Sequence, residues 1–153
     1  MQHSAEEAAK WYRASVEQGD VVAQIGLGAS YYRGDGVPQD YAEAAKWYER
    51  AAAYGDPNAQ GRLADLYARG IGVHQDKVTA LMWLLLAGDD VSDDNREAIP
   101  AYRAHLSEIL PPNDVAEAER RAIAWEPRTW PNDPIKDALL RMLPRRNPSG
   151  IRK

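Results

Sequence analysis

Three kinds of side chain in this sequence have the chemistry to build a site. The first is a pair of arginines, Arg33 and Arg69, which close two similar stretches 36 residues apart. Planar guanidinium groups one repeat apart could form a two-point clamp on carboxylates. Each also stands where a cation offsets the negative end of a helix. The second is the acidic run Asp89-Asp90-Val91-Ser92-Asp93-Asp94. Its carboxylates suit a hard cation such as calcium, yet the spacing is not that of an EF-hand loop, and aspartate ahead of a helix is routine capping. The third is the set His3, His74 and His105, which lie far apart in sequence and mark neither a metal site nor a catalytic base. The chain has no cysteine, which removes disulfides, zinc–thiolate sites and thiol nucleophiles together. No serine stands in a nucleophile-elbow context. Gly34-Asp35-Gly36 follows a helix, whereas a phosphate cradle opens one. No cofactor, no metal and no catalysis are expected.

The elements that position these residues are set by an internal repeat. Residues 5–40 and 41–76 are identical at 18 of 36 positions. The matches include Glu7-Ala8-Ala9-Lys10-Trp11-Tyr12 with Glu43-Ala44-Ala45-Lys46-Trp47-Tyr48, and the turn Gly34-x-Gly36-Val37 with Gly70-x-Gly72-Val73. A third copy keeps Ala80, Trp83 and Ala87 against Ala44, Trp47 and Ala51. Ala23, Leu27 and Tyr31 are spaced by four, which reads as a first helix near 21–33. Ala44, Trp47, Tyr48 and Ala51 make the apolar face of a second near 41–54. Gly34 is placed to end a helix at positive φ, and Asp40 with Glu43 is a capping pattern for the next. Two helices joined by a tight turn cannot bury both apolar faces alone, whereas stacked copies can.

The run Ala23-Gln24, Leu27-Gly28, Tyr31, Gly34, Gly36-Val37, Asp40, Ala44, Trp47, Ala51-Ala52, Gly55 resembles the Sel-one-like repeat, a relative of the tetratricopeptide repeat. The resemblance covers residues 5 to about 88 and implies an all-α, right-handed superhelix of helix pairs that holds protein complexes together. About eight helices are expected. The repeat region is 1–92, with an orphan second helix at 5–18 and repeats at 21–55 and 57–89. A helical C-terminal cap follows at 93–143, with helices at 95–110, 113–125 and 133–143, and then a flexible tail at 144–153. The tetratricopeptide layout implies that first helices line the inner, concave face. The implied binding positions are Val22, Ile25, Ala29, Tyr32 and Arg33, then Asn58, Gly61, Asp65, Ala68 and Arg69.

A net charge of −4 and a pI near 5.4 argue against a nucleic-acid or anionic-membrane partner. No apolar run reaches the ~18 residues of a membrane span. The N-terminus lacks a secretory pattern, so the expected compartment is the cytoplasm, or the periplasm where a signal lies upstream. Helix 5–18 has no first helix before it, and its Trp11 face is expected to meet an upstream repeat or a second copy of the chain. The basic group Arg141, Arg145, Arg146, Arg152 and Lys153 reads as a solvated tail or a weak contact to an acidic surface. The function expected is a non-enzymatic scaffold binding a protein or peptide on the concave face. The alternatives are a regulatory module of a larger signalling protein, or an enzyme or enzyme inhibitor of cell-envelope type.

Overall fold

The computed structural model describes residues 4–89, 91 and 96–128, and these form seven α-helices and no strand. They are α1 (Ala5–Val16), α2 (Val21–Arg33), α3 (Tyr41–Ala53), α4 (Pro57–Arg69), α5 (Lys77–Ala87), α6 (Ala98–Ile109) and α7 (Pro112–Ala124). The eighth helix expected near 133–143 and the tail 144–153 lie outside the described residues.

The helix starts follow local chemistry. Asp20, Asp40, Asp56 and Asp76 each cap a helix with a carboxylate that accepts a backbone N–H of the first turn, and Ser4 with Glu7 forms a complete capping box on α1. The first helices end at Gly34 and Gly70, with φ of 73° and 66°, where a Cβ would be strained. The second glycine of each turn does something else. Gly36 packs against the backbone of Ala5 and Glu6, and Gly72 against that of Tyr41 and Ala42, so closely that a Cβ would collide with a carbonyl. Each turn therefore presses on the start of the second helix of the preceding repeat. The turns are tied again by Gln39 and Gln75, whose side-chain amides donate to the carbonyls of Tyr32 and Ala68 at 3.0 and 2.8 Å.

Consecutive helices from α1 to α6 pack on one another, and α7 packs on α5 rather than on α6. The main core runs through α3, α4, α5, α6 and α7 and includes Leu63, Leu66, Leu81, Leu84 and Leu106. Ala44, Ala51, Ala52, Ala59 and Ala64 are fully buried, and their small side chains let neighbouring backbones approach. A smaller cluster of Val16, Ala23 and Leu27, with Tyr12, Tyr31 and Trp47 against it, joins α1 and α2 to α3. Val37 is buried as the plug of its turn.

Two elements differ from the sequence expectation. Helix α6 starts at Ala98 rather than 95 and has no side-chain cap; Pro100 is its third residue, where a backbone N–H has no helical acceptor anyway. Trp125 leaves α7 instead of continuing its apolar face, taking ψ 138°. The proline at 127 disfavours helical geometry just before it, and the chain turns back across the stack.

Candidate protein-binding cleft

The first helices α2 and α4 and the shorter α6 enclose a cleft of about 310 Å³. Leu66 and Leu84, both fully buried, and Ile99 make an apolar floor. Tyr32, Tyr48, Tyr102, Arg62 and Asp65 supply polar groups around it. Gly61 lets Ile99 lie directly on α4, since a Cβ there would meet the Ile99 side chain. The cleft thus depends on α4 and α6 closing together.

Charge in the cleft is unequal. Asp65 is spent on Arg69, at 3.0 Å one turn along α4. That pair holds the Arg69 guanidinium more firmly protonated, and a hydrogen bond to Tyr32 adds to it. Arg62 lies 5.9 Å over the Tyr48 ring and, among the described residues, has no carboxylate partner. Burial pushes the Tyr48 hydroxyl above its ordinary value, with Arg62 pulling the other way. Burial also raises Tyr102, and Asp65 adds to the shift. Both hydroxyls therefore remain protonated donors at neutral pH. The cleft combines an apolar seat, phenolic hydroxyls and one uncompensated cation, which is the chemistry of a site for an apolar side chain beside an acidic group.

The residues named from the sequence are distributed over several places. Tyr32, Gly61 and Asp65 line the cleft, and Arg69 stands at its edge through Asp65 and Tyr32. Ala29 and Arg33 line a separate hollow of about 220 Å³ against α1, where Arg33 pairs with Asp35 at 3.3 Å. Arg33 and Arg69 thus serve different hollows, each already facing an aspartate. Ile25 is half-buried against the core, Asn58 is half-buried, and Val22 is exposed. Ala68 is buried and does not line the cleft. Seven of the ten lining residues were not among the binding positions expected from the sequence, and Arg62, Ile99 and Tyr102 matter most of these. Arg62 was findable, standing one position after Gly61 on the same helix. Ile99 and Tyr102 belong to a helix whose repeat signature has eroded.

His74 and His105 are exposed, and no group of three or more metal-ligating side chains occurs among the described residues. Asp89 pairs with Arg103 at 2.8 Å; His3, Asp90, Asp93, Asp94 and the basic residues of the tail lie outside the described residues. No described helix is long and apolar enough to cross a membrane.

The chain is similar to solved structures of the same architecture. One is a protective antigen present in uropathogenic Escherichia coli strains and displaying an SLR fold, with 26% identity over 97% of this chain and a TM-score of 0.71. Another is a Sel1 repeat protein from Oxalobacter formigenes, with 29% identity over 76% of this chain and a TM-score of 0.61. The chain spans 30% of the length of the first and 49% of the second. No curated protein matches it. The family model for the Sel1 repeat matches residues 2–20, 21–56 and 57–90, in the same register as the helix pairs described above. The chain belongs to the Sel1 repeat family, whose members are in general protein–protein interaction modules and not enzymes.

Proposed function

We propose that this chain is a non-catalytic scaffold that holds a segment of a partner protein in the cleft between α2, α4 and α6. The observation that carries this reading is Arg62, an uncompensated guanidinium set beside an apolar seat of Leu66, Leu84 and Ile99. The segment it fits presents an apolar side chain and a carboxylate close together, with the phenols of Tyr32 and Tyr102 donating to its backbone. Arg69 contributes by fixing Asp65 and Tyr32, and not as one arm of a clamp with Arg33. The remaining first-helix positions, Val22, Ile25, Ala29 and Asn58, extend the contact surface toward the N-terminus. A photo-crosslinking side chain at Tyr102 is expected to capture a discrete partner that the same group at exposed Glu119 on α7 does not. Arg62→Glu should abolish the capture while leaving the helical circular dichroism unchanged. Capture that survives Arg62→Glu would reject the cleft.

A second contact is favoured by one specific observation: Trp11 is 71% exposed on α1. This face supports self-association, or packing against a further repeat, through burial of an indole on the order of 150–250 Å² in size. Sedimentation over a range of concentrations tests the first option, with Trp11→Ser expected to remove any concentration dependence.

A further inference from the structure

The second-helix side of the stack already binds one extended peptide, a segment of the chain itself. After α7 the backbone runs back across α5 and α3. Trp125 packs edge-on against Trp83, with ring centroids 6.0 Å apart and planes at 74°. Pro127 and Trp125 lie beside Gly55, and the Arg128 N–H donates to the Ala53 carbonyl at 2.7 Å. The surface that receives this segment is made of repeat positions, so it exists a second time 36 residues earlier.

At that earlier place Trp47 stands for Trp83, Gly19 for Gly55 and Glu17 for Ala53. The turn backbone is the same. Gly19 and Gly55 donate to the carbonyls of Val16 and Ala52 at 3.1 and 2.9 Å, with φ of 82° and 92°. What differs among the described residues is the cover: the exposed Arg50 guanidinium, 5.7 Å from the ring centroid, lies over Trp47, where Trp125 lies against Trp83. Trp83 is covered to 7% exposure, whereas Trp47 remains half-buried beside a groove of about 330 Å³ lined in part by Arg13, Glu17, Tyr31 and Arg50. The Trp47 indole N–H is buried without an acceptor among the described residues. Among the described residues, the Glu17 carbonyl receives no hydrogen bond like the one Arg128 gives Ala53.

We propose that the groove over Trp47 is a binding site for an extended aromatic–x–proline segment of a partner protein. The aromatic ring packs on Trp47 as Trp125 does on Trp83. The proline rests on the Gly19 turn, and the N–H of the next residue donates to the Glu17 carbonyl. A proline in the segment holds it extended beforehand, which lowers the entropy lost on docking. Both signs of charge flank the groove, Arg13 and Arg50 against Glu17 and Glu43, so the ring and the proline select the ligand and net charge does not. This site is independent of the α2–α4–α6 cleft.

The test uses the full chain with ¹⁵N-labelled tryptophan, whose 5 indole N–H signals are resolved and the Trp47 signal assigned with Trp47→Phe. The probe is the pentapeptide Ala-Trp-Glu-Pro-Arg, the sequence of residues 124–128. The expected result is a saturable shift of the Trp47 signal, with Trp11 and Trp83 unmoved, and loss of that shift when the peptide tryptophan is replaced by alanine. A Trp47 signal that stays fixed at millimolar peptide overturns the proposal. So does a shift that occurs only in Trp130→Ala protein, because the chain's own Trp130-Pro131 then fills the groove. A Trp47 signal that moves with protein concentration alone assigns the groove to a second copy and overturns it equally.

Discussion

Trp11 and Trp83 stand two repeat lengths apart on second helices of the same pattern, yet one is 71% exposed and the other 7%. Gln24 and Gln60 are matched in the same way and both are buried. Gln60 donates to the Ala52 carbonyl at 3.2 Å and leaves only its Oε1 without a partner, while among the described residues both polar atoms of Gln24 lack one. The repeat thus delivers the same side chain to the same face, and the neighbour decides what that side chain contributes. In a stacked array energy resides in the seams between units, so equivalent residues differ in weight according to which seam they meet.

That contrast can be broken experimentally, beginning where the effect is largest. Trp83→Ala is expected to cost about 3–5 kcal/mol, the usual range for a buried aromatic. Trp11→Ala should stay within about 0.5 kcal/mol, as for a surface change. Equal losses by urea denaturation would show that the two seams are alike after all. Gly72→Ala should cost about 2–4 kcal/mol, since left-handed strain adds to a backbone collision with Tyr41 in the middle of the stack. Gly36→Ala makes the corresponding collision with Ala5, but α1 packs chiefly on α2 among the described helices and can move away. Its cost should be smaller, with faster amide exchange confined to α1.

The glutamines sharpen the contrast at a finer scale. Gln60→Leu removes one buried hydrogen bond from the Ala52 carbonyl, which keeps the Gly55 N–H, and should destabilise by about 0.5–1.5 kcal/mol, whereas Gln24→Leu removes two buried atoms without a partner among the described residues and should be neutral or stabilising. Thermal melting of the two variants decides this. The smallest effect is at Asp76, the cap of α5. Burial works to raise its carboxyl, but hydrogen bonds from the Thr79 backbone and hydroxyl and from the Val78 backbone outweigh it and hold it below its ordinary 3.8. A lowered folded value means the stabilisation is full above 3.8 and is lost as pH falls through the folded value. Asp76→Asn should lower the plateau near neutral pH slightly and flatten the acid limb of the melting profile in that window, so that the two proteins converge below it.

Much of the architecture was legible because it rests on local chemistry. Gly34, Gly70, Asp40 and Asp76 announce a stop and a start within a few residues, and a spacing of 36 brings them back. The cleft was legible only in part. Tyr32, Gly61 and Asp65 follow from the tetratricopeptide layout that the resemblance implies, but Ile99 and Tyr102 reach it from α6, where no repeat motif reports which face looks inward. Ala68 shows the limit of register arguments. It matches Tyr32 by repeat position, yet a small apolar side chain at a tight seam is buried where a tyrosine reaches the rim. The path of Trp125 depended on what lay across the stack, and a one-dimensional pattern carries no record of that.

The contact of Gly36 on Ala5 and of Gly72 on Tyr41 has a mechanical consequence. A seam of side chains stretches under load, because rotamers adjust. A seam of main chain against main chain has no such slack, so neighbouring units resist sliding while remaining free to flex about the contact. Pulled from its ends, this rod should hold its length until a seam parts outright. The first to yield should be the one at Gly36, because α1 packs chiefly on α2 among the described helices.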